Sequence, residues 1–226
     1  PLAVVAIYTG FSLIVRSRTL GSGDGLTQAD FQMARGLLAL MENGLPLAAG
    51  LIAATAVNQD VAVELHLSLP APYRRTVAGR LAVVAFWALL LTALVSALLL
   101  ATHHWIVPVE QPLSQLTWLV PLLWYIAAGA LLTLLLRSRV ASSTALGMIW
   151  IAQFLFKSVF QEYGVLQRLY LFITEELIPD IWPASYPSWY TTWLQNRLTL
   201  LALALLMLGA VALLLRRNEA LLGAEA

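Results

Sequence analysis

The sequence predicts an all-α membrane protein with six transmembrane helices, a short cytoplasmic helix between spans two and three, and interfacial or re-entrant helices between spans five and six. Two observations carry this. The 226 residues are 60% hydrophobic and 11% charged, with a mean hydropathy of +0.80, whereas a soluble domain carries about 25% charged residues. That composition excludes a water-soluble fold. The apolar residues also fall into runs of the length a bilayer demands, roughly 20 per helix with about 17 to 25 tolerated.

Span one is read at 1–15. It is short and opens at Pro1 without an initiator Met, so an N-terminal piece is expected to be missing. A cleaved signal peptide fits less well, because Arg16 and Arg18 follow the run and no small-residue cleavage site ends it. Span two, 33–57, contains Glu42 and Pro46. The polar stretch 58–69 continues it into water as a helix, with Val61, Val63, Leu65, Leu67 and Leu69 set among Asp60, Glu64 and His66. Pro70 and Pro72 stop that helix, since proline lacks the donor and clashes with the preceding turn. Spans three and four follow at 78–101 and 116–136, the latter around Pro121. Prolines inside spans are tolerated as kinks when neighbours re-satisfy the freed carbonyl. Span five, 142–160, opens on Ser142-Ser143-Thr144, a run suited to capping free amides. Span six covers 197–215. Between spans five and six, 161–196 carries Tyr163, Tyr170, Trp182, Tyr186, Trp189, Tyr190 and Trp193. Trp and Tyr favour the headgroup level, so these rings are expected to anchor interfacial helices, with an outer gate or release surface as the sharper reading. No linker, charge block or repeat divides the chain, and residues 1–226 are expected to form a single transmembrane domain.

Orientation follows from the excess of Arg and Lys in cytoplasmic loops. Arg74, Arg75, Arg80, Arg137, Arg139, Arg216 and Arg217 fall on one side. Arg16, Arg18, Arg35, Lys157, Arg168 and Arg197 fall on or toward the other, spread mostly over two long, partly acidic segments. The compact set places 58–77 and both termini in the cytoplasm and 161–196 outside. An inner, plasma-membrane location is expected.

Ionisable groups inside spans cost at least about 2.5 kcal/mol on insertion scales and are functional candidates by default. Glu42 either pairs with Arg35 or Arg197 as a structural pin or faces a translocation pathway. Gln153 and Lys157, one turn apart in span five, raise the same question, with snorkelling of Lys157 to the outer interface as its simpler account. His103-His104 with Trp105 and Glu110 offers a weak metal constellation, because adjacent histidines diverge by about 100° on a helix and no third ligand stands at i+4. No metal site is assigned. The chain has no cysteine, hence no disulfide and no thiolate chemistry. Its basic residues form small clusters between apolar runs and not one stripe, so no nucleic-acid partner is implied.

The stretch 41–81, MENGLPLAAGLIAATAVNQDVAVELHLSLPAPYRRTVAGRL, resembles the part of ABC-2 type transporter permeases in which an acidic residue and a Pro-Leu pair in span two precede a cytoplasmic helix ending in a Leu-Pro turn with basic residues. Here these are Glu42, Pro46-Leu47, Leu69-Pro70, Arg74 and Arg75. The C-terminal run from Asn196 and Arg197 to Arg216, Arg217, Glu219 and Leu222 resembles the last span and tail of such permeases. Asp60 and Glu64 depart from the Glu-rich, Gly-containing lead-in of that family.

The resemblance implies a dimeric unit, of two copies or two relatives, driven by cytoplasmic ABC ATPase subunits and moving a hydrophobic or amphipathic substrate outward among membrane lipids. Asp60, Glu64, Leu69, Pro70, Arg74 and Arg75 would couple to the motor. The only lysine, Lys157, follows Phe156, so no Gly-Lys-Ser/Thr phosphate loop is present. No cofactor is expected in this chain; ATP and Mg belong to the partner ATPase. Two other classes stay open. One is an intramembrane lipid-modifying enzyme using the histidines with Glu110 or Glu175-Glu176, and the other a non-transporting assembly or immunity subunit on a permease scaffold.

Overall fold

The structure, a computed structural model, describes residues 28–57, 73–107, 109–174 and 186–224. Every regular element among them is helical. Among the described residues, four stretches are long and apolar enough to cross a membrane: Met33–Val57, Arg74–Ala101, Leu113–Leu136 and Trp189–Arg217. They correspond to predicted spans two, three, four and six. Span one and the 58–72 segment lie outside the described residues.

The first stretch is built from α1 (Gln28–Ala39), a π turn (Leu40–Gly44) and α2 (Leu45–Val57). Pro46 cannot donate to the carbonyl one turn behind it, and its ring needs room there. The π turn answers both needs by widening the backbone just ahead, with the Leu45 N–H donating to the Leu40 carbonyl. Glu42 sits in the middle of that turn and is buried.

Helix α3 (Tyr73–Ala101) begins before predicted span three and runs 29 residues, about 44 Å at 1.5 Å per residue. Helix α4 (Leu116–Leu136), entered through a single 3₁₀ turn at Leu113–Gln115, coincides with predicted span four. It ends at Arg137, whose φ of 50° is left-handed and whose N–H donates to the Thr133 carbonyl at 2.9 Å. Extended Ser138 follows and caps α5 (Arg139–Leu155), its side chain accepting from the Ala141 N–H at 3.3 Å. The cap is therefore Ser138, and the predicted capping run at 142–144 lies inside the helix. Predicted span five is also shorter than expected. The helix ends at Leu155, and the chain turns through Phe156 into α6 (Lys157–Glu162) and α7 (Gly164–Gln167). Helix α8 (Tyr186–Ala224) starts well before the predicted span six.

Helices α2 and α4 cross at the centre of the bundle. Half of the apolar window in Met33–Val57 and 56% of that in Leu113–Leu136 are buried, against 17% for Arg74–Ala101 and 22% for Trp189–Arg217. Glycine makes the central crossing possible. A Cβ on Gly129 would stand 2.2 Å from the Gly50 carbonyl oxygen, and one on Gly50 would stand 2.7 Å from that of Tyr125. The backbones are in direct contact, as small residues permit in membrane helices. One turn on, the Thr133 hydroxyl lies 3.2 Å from the Ala54 carbonyl and 2.9 Å from the Gly129 carbonyl.

These pairings rise together in residue number, so α2 and α4 run parallel. Val57 from the end of α2, Val77 from the start of α3, Ala130 from α4 and Val211 with Leu215 from α8 form one cluster. Helix α8 therefore runs with α2 and α4, while α3 and α5 run against them. One end of the bundle consequently gathers Arg74, Arg75, Arg80, Arg137, Arg139, Arg216 and Arg217.

Candidate functional site

The opposite end of the bundle holds a buried polar latch. Glu42, Thr174, Asn196 and Arg197 are each fully buried, and Gln153 is 6% exposed. The π turn aims Glu42 inward from the Met33–Val57 span, and α8 brings Arg197 two turns past Trp189 to meet it. Arg197 Nη2 donates to Glu42 Oε1 and, at 2.5 Å, to the Thr174 hydroxyl. The same carboxylate oxygen accepts the Thr174 backbone N–H at 3.1 Å, and Trp193 Nε1 donates to the Thr174 hydroxyl at 3.0 Å.

The latch fastens the chain between α7 and α8. Residues 170–174 are buried inside the bundle, where irregular backbone persists only if its polar groups find partners. Glu42 takes the Thr174 N–H, and three further side chains supply the rest. Gln153 Oε1 accepts the Leu171 N–H at 2.8 Å, and its Nε2 donates to the Leu169 carbonyl at 3.4 Å. Asn196 Nδ2 donates to the Gln167 and Tyr170 carbonyls, both at 2.8 Å. Arg197 Nη1 donates to the Leu171 carbonyl at 3.4 Å. What this arrangement does chemically is hold the non-helical residues 168–172 and the helical residues 173–174 that follow them inside an apolar bundle, with a carboxylate and a guanidinium satisfying each other and the backbone together.

Of the two partners the sequence offered Glu42, the structure selects Arg197. Predicted span six started at Arg197, but the helix already includes Trp189 and Trp193, so the residue lies within the bundle and not at its rim. The rings expected to anchor at the headgroups divide accordingly. Tyr170, Trp189 and Trp193 are buried in the core, the two tryptophans stacked with centroids 6.0 Å apart, whereas Tyr163 is exposed. Lys157 begins α6 beyond the break at Phe156 and is exposed, so Gln153 and Lys157 belong to different helices. Thr174 carries no sequence signal of its own. Asn196-Arg197, a polar dyad opening a long apolar run, was the available signal for the α8 side of the latch.

At the other end, Arg74 and Arg75 open α3 and are exposed. Asp60, Glu64, Leu69 and Pro70 lie outside the described residues. His103 is exposed and left-handed, with a φ of 57°, while His104 is buried, so the two histidines face different surroundings. No family model, curated protein or solved structure matches this chain.

Proposed function

We propose that the chain is the permease subunit of an ATP-driven exporter that moves a hydrophobic or amphipathic substrate out of the cytoplasm. In this reading two such subunits, identical or related, share a pathway worked by two cytoplasmic ABC ATPases, which bring ATP and Mg. The observation that carries it is the gathering of seven arginines at one end of the bundle, the end where the chain leaves α2 at Val57 and re-enters α3 at Tyr73. By the preference of basic residues for cytoplasmic loops that end faces the cytosol. A motor would then meet the connecting segment with its Leu69-Pro70 turn. Asp60, Glu64, Arg74 and Arg75 would supply the polar rim that fixes register at a non-covalent contact. The latch lies at the outer end and serves as the gate. Glu42 and Gln153 hold it shut through Thr174 and Leu171, Lys157 stands on the exposed helix outside it, and substrate leaves when the 164–174 segment is released.

The test exchanges charge at the cytoplasmic rim. Glu64→Arg, and separately Arg74→Glu with Arg75→Glu, should leave a folded, membrane-inserted protein: Arg74 and Arg75 are exposed, and changes at exposed charges usually alter stability by no more than about 0.5 kcal/mol. Loss of a charged pair at a partly buried contact costs roughly 2 to 5 kcal/mol of association. The ATPase should therefore dissociate on purification, or hydrolyse ATP without moving substrate. Full transport with the ATPase still bound in both variants overturns the coupling role. A wild-type protein that purifies from its native membrane in active form with no ATPase overturns the exporter reading itself.

A further inference from the structure

The two central helices are interrupted by prolines at one level of the bundle. Gly50 meets Gly129 and Ala54 meets Thr133, an offset of 79 positions. The same offset sets Pro121 of α4 level with Glu42 in the π turn ahead of Pro46, and α4 packs on that turn. Pro121 lies inside α4 and has no N–H to give the Thr117 carbonyl one turn back. In a membrane bundle a carbonyl freed in this way is met by a neighbouring helix, by a Ser or Thr hydroxyl, or by an ordered water.

The hydroxyls of this part of α4 are themselves unmet. The side-chain oxygens of Ser114, Thr117 and Tyr125 find no hydrogen-bond partner among the described residues, and all three residues are fully buried. Other threonines behave differently. Thr133 on the same helix bonds the Ala54 and Gly129 carbonyls, and Thr92 and Thr102 each donate to the carbonyl four residues back. Buried polar groups are paired in the great majority of cases, with protein or with water. At 100° per residue, Thr117, Pro121 and Tyr125 fall within an arc of about 80° on one side of α4. A long side chain on a helix leans back over the turn before its own Cα, which for Tyr125 is the Pro121 turn. The Thr117 carbonyl points along the axis toward that same turn. Val120 and Leu122, on either side of Pro121, are fully buried, so neither bulk solvent nor a lipid headgroup serves these groups.

We infer that the Pro121 break of α4 is a binding site for an internal water molecule, which donates to the Thr117 carbonyl and bonds the Thr117 and Tyr125 hydroxyls. Three polar partners are the usual complement of a buried water. Ser114, three residues before Thr117, extends the polar strip toward the start of α4. The site goes beyond the exporter reading and does not depend on it. It makes Thr117 and Tyr125 positioning residues for the break in the central helix, at the level of the latch.

The experiment uses the purified full chain in lipid nanodiscs. A short X-ray pulse makes hydroxyl radicals from water in place, so a buried ring is oxidised only where water lies against it. Tyr125 should gain oxygen although it is fully buried, while the buried Phe172 should not. After transfer to heavy-oxygen water, the isotope should reach Tyr125 more slowly than it reaches exposed Tyr163. Thr117→Val keeps the shape of the side chain and removes one partner of the water, so it should abolish the Tyr125 signal and leave that of Tyr163 unchanged. Stability supplies an independent sign. Were the hydroxyls dry, Thr117→Val and Tyr125→Phe would each remove an unmet polar group and raise the unfolding midpoint; with the water bound, each should lower it. The proposal is overturned by an unlabelled Tyr125, by equal oxidation of Phe172, or by isotope reaching Tyr125 as fast as Tyr163. A Tyr125 signal that survives Thr117→Val, or a midpoint that either substitution raises or leaves unchanged, overturns it as well.

Discussion

Glu42 and Arg197 stand 155 positions apart in sequence and neutralise each other with no exposure to solvent or lipid. A buried pair contributes little net stability over a well-packed apolar replacement, but removing one partner strands a charge and costs about 3 to 5 kcal/mol. Arg197→Met alone should therefore lower the unfolding midpoint of the detergent-solubilised protein sharply, and Glu42→Leu should do the same. The double variant should recover a substantial part of the loss, short of wild type because the Thr174 N–H would still lack its acceptor. A double variant no more stable than the worse single one would mean that the pair is not the unit that matters. Gln153 acts on backbone in place of charge. Gln153→Leu strands the Leu171 N–H, at a cost of about 1 to 3 kcal/mol, and hydrogen exchange at Leu171 should accelerate before exchange in α4 does.

At the scale of elements, the direct contact of α2 and α4 depends on two glycines. A methyl group on Gly129 cannot be accommodated by a side-chain shift, because what it meets is the Gly50 carbonyl itself. Gly129→Ala should therefore separate the helices and destabilise the fold by about 1 to 3 kcal/mol, the usual cost of overpacking. Gly147→Ala makes the control, since a Cβ there meets nothing within 4 Å and helix propensity favours Ala by up to about 1 kcal/mol. Thermal unfolding of the two variants should move in opposite directions, and an equal response would refute the close-contact account. Much of this level was legible in the sequence. Span four was placed correctly because α4 is uniformly apolar between polar flanks. Span five was not, because Phe156 and Val159 extend the apolar run past the point where the backbone turns, and hydropathy cannot detect a turn made by apolar residues.

For the whole molecule, the alternation of helix direction brings seven arginines to one end, and the proposed orientation rests on the preference of such residues for the cytosol. The chain contains no cysteine, so single-cysteine labelling has no background. Val165, 75% exposed within α7, and Val140, 69% exposed at the start of α5, lie toward opposite ends. Val165→Cys should react with an impermeant maleimide on intact cells, and Val140→Cys only after permeabilisation. The reverse pattern would invert the topology and remove the cytosolic docking surface with it. The proposed exporter, with a pathway worked by two motors, also calls for two bundles related by approximate two-fold symmetry. Intact-complex mass should accordingly report two permease chains, and a single chain bound to its motor would contradict the arrangement.

The sequence by itself determined the membrane class, the approximate positions of the four described spans, and the segregation of basic residues. Each of these follows from local composition: a run of apolar side chains partitions into lipid whatever its neighbours are. Tertiary structure alone decided that Glu42 meets Arg197 and not Arg35, that Thr174 joins them, and that Tyr170, Trp189 and Trp193 fill the core instead of lining the headgroups. The reason is distance along the chain. Glu42 and Thr174 are separated by 132 positions, and a polar group in an apolar run predicts that a partner must exist without saying which segment will fold back to provide it.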